Sequence, residues 1–462
     1  MRKYLYVACD GGMLNTLGGS GGILQIPLNG NGEKPYYHEF PYGMGGSPHF
    51  VKQSPNKRHL VLSCSNTAQI YVFPLKADHS GYDLENPRII NNFSNLGMTS
   101  GGPESTTDFF DFWGDNDTPG DGNHIVTHFN LRLIKVNLLT GEMKVLHNFS
   151  YFGPNEWNGT SEKRLKPEPP KYLHQVTTKG DYIIVDDALA KCIFVFKKTG
   201  IDTVELLYQA GDGYRSGHHC EYIDPLGRLT IARPSFNFMS FGNAFKIQDN
   251  VLSLYTLGES KPLNIKTFHY ALFIANHAPV DTFVDYPYFY GAYGVPGSVM
   301  KINLHTGAIE KQTRIELPPF WKRWLYFLAD YRSWQISHGT GMKGFDRPQM
   351  DIHQHYLASF IATEAGTRGG FFTLAPDPVE RIIYACHRGL NRMYVLDKDT
   401  LKVLDKRQLP LRSPSRELFS KFLYRRSKYL SRGLGTHHGK VAILPDPLHE
   451  DTPKANIPRP SE

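Results

Sequence analysis

Along the chain, a histidine followed by an apolar run, a turn and a second apolar run ending in a small residue or cysteine keeps recurring. The unit is plainest at Pro48-His49-Phe50-Val51, which passes through Ser54-Pro55-Asn56-Lys57 into His59-Leu60-Val61-Leu62-Ser63-Cys64. Leu173-His174-Gln175-Val176 ahead of Tyr182–Val185, His219-Cys220-Glu221-Tyr222 ahead of Leu229–Ala232, and Asn276-His277-Ala278-Pro279 ahead of Tyr286–Phe289 echo it. Short runs rich in β-branched and aromatic residues, bounded by Gly, Pro and Asn, read as β-strands joined by tight turns.

The pattern groups into fours. Phe50–Gln53, His59–Cys64, Gln69–Pro74 and Arg88–Phe93 make one unit, and a four-strand unit repeated about every 45 residues predicts the blade of a propeller. Third strands carry a second repeat. Leu133–Glu142, Val299–Ala308 and Met393–Lys402 are near copies in which alternation runs into a Thr-Gly-type turn, as expected between a blade's third and fourth strands. Counting units predicts an all-β, seven-bladed β-propeller in a single domain over 1–462, with blades near 46–98, 99–153, 168–212, 213–272, 273–317 and 370–411. Residues 1–45 supply only the strands Tyr4–Cys9, Gly22–Pro27 and Tyr36–Phe40. Thr436–Pro447 has the form of the missing inner strand, so both termini are expected to close the ring and remove its open edge. Two stretches do not fit the repeat: a lid-like insertion at 318–369, and a second basic, amphipathic insertion at 412–435, both expected on the face that carries the histidines. Their mixture of aromatic and basic residues also suits contact with a membrane surface.

Composition supports the β reading and removes some functions. Hydrophobic residues make up 40% and aromatic residues 13%, with 43 glycines and 31 prolines, as a turn-rich all-β chain requires. The formal charge of +7 is partly concentrated near Trp321–Arg332 and Arg412–Arg432, with no nucleic-acid motif interleaved. The five cysteines lie apart with no CxxC pair, which excludes a thiolate zinc site and leaves core thiols. The amino terminus turns polar too soon for a signal peptide and no apolar run reaches membrane-spanning length, so a cytoplasmic protein is expected.

The stretch Gly46–Leu75, the Leu173–Phe196 blade and the Gly211–Ala232 segment resemble the seven-bladed lactonase propellers, the group that includes bacterial 6-phosphogluconolactonase and the fungal carboxymuconate lactonising enzyme. The likeness covers mainly the first half of the chain and implies the fold more than the reaction. It implies a catalytic histidine at His174. The arginine of the family's next motif falls where this chain reads Ser216-Gly217-His218-His219, which leaves Arg215 as the nearby guanidinium.

Inner strands of a propeller start together at one end of its channel, and histidine stands at or beside that start in five of them: His49, His174, His218/His219, His277 and His437/His438. The other two inner strands are expected to begin near Ser105–Asp108 and Arg368–Phe371. Imidazoles gathered there can do two kinds of chemistry. As metal ligands, His174, His219, His277 and His438, with His218, His353, His355 and His437 as alternates, would hold one divalent ion such as iron, zinc or copper. As acid and base, His174 and His219 would work beside Arg215 and Tyr214, with Arg368, His49, Trp321 and Trp324 binding substrate. Glu104 and Glu364 are candidate carboxylates behind the ligating rings. Any one histidine could instead simply pack and bond the neighbouring backbone.

The expected function is a small-molecule enzyme at the channel mouth that opens or forms a lactone, or eliminates, on a carboxylated or cyclic substrate. A His-ligated non-haem iron oxygenase acting on a lipophilic substrate is the alternative, and a non-catalytic binding platform a third.

Overall fold

In the strand His59–Cys64, Leu60 and Leu62 face one way and Val61 the other, and both directions end in hydrophobic contact. Successive side chains of a strand point to opposite faces. A sheet apolar on both faces must therefore be sandwiched, which explains why these strands read as unbroken apolar runs.

The structure, a computed structural model, describes residues 2–9, 21–29, 32–41, 48–65, 67–96, 107–114, 122–149, 173–187, 192–211, 216, 218–241, 245–259, 263–271, 279, 281–293, 298–314, 371–388, 390–411 and 434–445. These form seven four-stranded antiparallel sheets, a seven-bladed β-propeller. Blade 1 joins the two ends of the chain: Thr436–Ile443 is its inner strand and pairs with Lys3–Cys9, so the predicted closure is present. The inner strands of blades 2 to 7 are Pro48–Gln53, Phe110–Phe112, Leu173–Lys179, Cys220–Ile223, Asp281–Asp285 and Phe371–Pro376. Strand ends differ slightly from expectation. The blade 2 outer strand stops at Ile90 before a 3-10 turn at Asn92–Leu96, and the blade 3 inner strand starts at Phe110 rather than near Ser105.

The core is divided among the seams. Seven buried clusters correspond to the seven contacts between neighbouring blades, the last of which packs Ala375, Tyr384 and Cys386 of blade 7 on Leu5, Val7 and Leu24 of blade 1. All five cysteines are buried in these seams as free thiols.

The hairpins between third and fourth strands show why their sequences are near copies. Asn137 Oδ1 accepts from Leu139 N at 2.8 Å and Thr140 N at 3.0 Å, and Thr140 Oγ1 accepts from Glu142 N at 3.2 Å. Asn303 with Thr306, and Asp397 with Thr400, repeat the arrangement. The next residue takes a positive φ, 78° at Gly141 and 71° at Gly307. Blade 7 places Leu401 there at 54°, its side chain buried in the blade 6–7 seam.

Inner strands leave one edge unpaired toward the channel, and buried backbone groups need partners. Side chains of neighbouring blades supply several. Gln175 bonds both the N–H and the C=O of His219 at 2.8 Å, and Gln53 clamps Ile443 in the same way. Asp111 accepts from Thr178 N at 2.9 Å and Asp281 from Leu374 N at 2.8 Å.

Candidate metal centre and channel cavity

The histidines sit where the inner strands break register. Pro48 pairs with Cys64 and Phe50 with Ser63, which leaves His49 as an extra residue. Likewise His174 and Gln175 together oppose Asp186, His437 and His438 together oppose Ala8, and Phe372 is extra in blade 7. A β-bulge interrupts alternation and re-aims a side chain. Four of the seven inner strands thus carry the same device at the same place, and three of them use histidine there.

Five imidazoles meet in consequence. Going round, ring centroids are 5.3 Å apart for His49–His174, 5.0 Å for His174–His218, 5.3 Å for His218–His438, 4.6 Å for His438–His437 and 4.2 Å for His437–His49. Phe109, at the start of blade 3, packs against four of them at 4.8 to 5.6 Å.

Burial pushes the pKa values of His49, His218 and His437 well below the ordinary histidine range, and the neighbouring imidazoles add to the shift. Burial lowers His438 too, against the opposing pull of the Asp281 carboxylate. These rings are neutral at pH 7, with nitrogen lone pairs to offer. Among the described residues, His49 Nδ1, His437 Nδ1 and both Nδ1 and Nε2 of His438 have no hydrogen-bond partner within 3.5 Å, nor has His219 Nδ1 beside them. One ligand nitrogen from each of His49, His437 and His438 lies within 4.8 Å of the others. Around a bound ion such nitrogens stand roughly 3–4 Å apart, so the rings have to close by about 1 Å. His49 is also bonded to the main chain of Asp108, and Asp281 Oδ2 stands 3.7 Å from His438 Nδ1, the kind of outer support that orients ligating rings. The triad has the donor set and the spacing to hold a metal ion.

His219 belongs to a different network. Its Nε2 shares a 2.8 Å hydrogen bond with Thr177 Oγ1, and its Nδ1 lies 3.8 Å from Asp186, whose carboxylate is held by Arg233 at 2.9 Å. Arg233 and Asp186 are entirely buried.

Past the imidazoles lies a cavity of about 230 Å³. Its wall follows from alternation: six of the seven inner strands contribute residues two apart, giving Phe50 and Lys52, Phe109 and Asp111, Gln175 and Thr177, His219 and Glu221, Asp281 and Phe283, and His438 and Lys440. Glu221 is pushed above the usual carboxylate range, first by burial and then by Asp111, while His219, Lys52 and Thr177 act the other way. For Asp281 burial also raises, but Lys440, His438 and the Leu374 N–H together outweigh it and hold the carboxyl low.

Of the residues singled out in the sequence, the structure brings together His49, His174, His218, His437 and His438, and sets His219 beside them on the cavity wall. The three that share ligand spacing are His438 from the expected metal set, its alternate His437, and His49, which was expected to bind substrate. Arg215, Tyr214, His277, Arg368, Trp321, Trp324, His353, His355, Glu104 and Glu364 lie outside the described residues, as do the insertion at 318–369 and nearly all of that at 412–435. Sequence reasoning missed Phe109, Lys52, Asp111, Thr177, Glu221, Asp281 and Lys440. Stepping two residues along each inner strand from its start finds most of them. Among the described residues no helix is long and apolar enough to cross a membrane.

No family model matches the chain, and no curated protein is similar to it in sequence. By fold it is similar to apo AztD from Citrobacter koseri, with a TM-score of 0.45 and 10% identity over 88% of this chain and 95% of that one. It is similar to dihydro-heme d1 dehydrogenase NirN in complex with DHE, with a TM-score of 0.43 and 11% identity over 87% and 72%. A candidate 6-phosphogluconolactonase from Bacteroides uniformis gives a TM-score of 0.41 and 12% identity over 64% and 79%. At these identities none of the three bears on chemistry or substrate.

Proposed function

We propose that this propeller is a small-molecule enzyme whose reaction centre is the channel, with one divalent metal ion held by His49, His437 and His438. The observation that carries the reading is that three imidazoles, two buried and one half-buried, hold unpartnered nitrogens within 4.8 Å of one another. Each such group costs about 1–3 kcal/mol to leave unsatisfied, and a ligated ion removes that cost for one nitrogen of each ring.

A metal there supplies Lewis-acid polarisation of a carbonyl, or a bound water of lowered pKa, which suits lactone opening, lactonisation or elimination on a carboxylated or cyclic substrate. The chain's own residues do the rest. His174, packed against His49 and His218, is an imidazole immediately outside the triad and the candidate to take up or return a proton. His219 presents its Nε2 to the cavity through the Thr177 hydroxyl, with the Asp186 carboxylate 3.8 Å behind its Nδ1 to orient the ring. Phe50, Phe109 and Phe283 exclude water from the ligand.

The test is metal content of protein purified without an affinity tag, followed by assay of a lactone and uronate panel before and after chelation. One equivalent of metal and turnover that chelation abolishes are expected. Bound iron with oxygen uptake would move the reading to the oxygenase class. A metal-free protein whose three histidines can be replaced without effect on turnover would overturn it.

A further inference from the structure

Two lysine–aspartate dyads line the cavity, and they are not alike. Lys52 of blade 2 bonds Asp111 of blade 3 at 2.5 Å, a closed pair. Lys440 of blade 1 stands 3.7 Å from Asp281 of blade 6, an open one. In both, the aspartate is fixed by the backbone N–H that it accepts from the next blade, Thr178 for Asp111 and Leu374 for Asp281. The difference therefore lies with the lysines. Asp281 also accepts from Thr282 N at 3.0 Å and faces His438 at 3.7 Å, so its charge is shared among several partners. The Lys440 ammonium has no hydrogen-bond acceptor among the described residues and lies 5.7 Å from the centre of the Phe50 ring.

We propose that the cavity binds a compact aromatic or unsaturated carboxylate, with the anion on the Lys440 ammonium and the flat apolar body between Phe50, Phe109 and Phe283. The assignment deepens the reading above, since the ligand would lie beside the histidine triad. Size agrees with it: about 230 Å³ is the share of roughly eight waters, room for a ligand of roughly ten non-hydrogen atoms. Charge agrees as well. Lys52 is paired with Asp111 and burial raises the Glu221 carboxyl, while the Asp281 carboxylate is held by the Leu374 and Thr282 N–H groups as well as by Lys440, which leaves the ammonium partly free to meet an anion. A neutral ligand of the same shape would desolvate Lys440 without giving it a counter-charge, which is costly.

Calorimetric titration of zinc-loaded protein with benzoate and with benzyl alcohol tests this, with zinc occupancy measured on the same samples. Benzoate is expected to bind one to one and at least about tenfold more tightly than the alcohol. Lys440→Met and Lys440→Gln, each checked by thermal melting, should lose about tenfold to a hundredfold in benzoate affinity and the preference for acid over alcohol. Lys440→Arg should keep both, and a Lys52→Met/Asp111→Asn double variant, which removes the closed pair together and keeps an acceptor for Thr178 N, should stay within about threefold of the parent. Equal binding of acid and alcohol, equal losses in the Lys52 and Lys440 variants, or zinc-loaded protein that ignores benzoate would each overturn the proposal. Failure to take up zinc would count against the metal centre alone, because benzoate binding that depends on Lys440 can still be read in that sample.

Discussion

His128 and His387 are as deeply buried as the histidines of the channel mouth, yet they differ from them in one respect that decides their meaning. His128 Nε2 donates to the carbonyl of His174 at 2.8 Å, and His387 Nδ1 accepts from Leu390 N at 3.1 Å. Burial lowers both pKa values, to about 4 and about 3. The pKa values of His49, His437 and His438 fall for the same first reason, but among the described residues His49 Nδ1, His437 Nδ1 and His438 Nε2 meet no hydrogen-bond partner. Burial and a depressed pKa therefore do not separate a structural histidine from a candidate ligand. An unpartnered ring nitrogen that also lies within ligand distance of two others does, because a buried polar group without a partner is a standing cost and only such a cluster offers a metal ion to relieve it.

The largest break in that comparison should come from substituting one member of each class with leucine. His438→Leu is expected to abolish metal binding while the metal-free protein melts no lower than the parent, since the change removes two unsatisfied nitrogens. Metal uptake that survives in His438→Leu would exclude it as a ligand.

Acid is expected to act next. An unfolded histidine titrates near pH 6.5, whereas His128 and His387 titrate near 4 and 3 in the folded protein. Between those limits the unfolded chain binds more protons, so stability falls as the pH falls, by roughly 1 kcal/mol per pH unit for each histidine. Denaturant midpoints at pH 7.0, 6.0 and 5.0 check this. Midpoints that hold steady below pH 6.5 would contradict the neutral buried rings.

His128→Leu should then cost about 1–3 kcal/mol, because the buried His174 carbonyl loses its donor, and it should leave metal stoichiometry intact. Its sign is the opposite of that expected for His438→Leu. The smallest effect is expected at Asp281→Asn. That side chain can still accept from Leu374 N but withdraws the charge behind His438, so metal affinity should fall about tenfold with little change in melting.

Much of the fold could be read from the chain. The His49-to-Cys64 unit, the Asn-x-x-Thr-Gly hairpins and the unpaired first sheet were enough for seven blades and for closure by Thr436–Ile443. Periodicity sufficed because every blade is apolar on both faces and solves the same packing problem. The site was legible only as a gathering of histidines. What sorts them is the extra residue at each strand start, and a bulge is a property of pairing register that a single strand's sequence does not carry. That is why His219, aligned with the others in the repeat, ends on Thr177 and Asp186, while His49 joins His437 and His438. Asp281 and Lys440 are more than 150 positions apart and meet only because the terminal strand completes blade 1.

The most direct test of the metal centre is equilibrium titration with cobalt(II), followed by its visible absorption, of the parent protein and of His49→Leu, His437→Leu, His438→Leu, His128→Leu and His219→Leu. The account predicts one equivalent bound by the parent, by His128→Leu and by His219→Leu, and none by the three triad variants. A parent that binds no cobalt, or a signal that survives in all three triad variants, would contradict it.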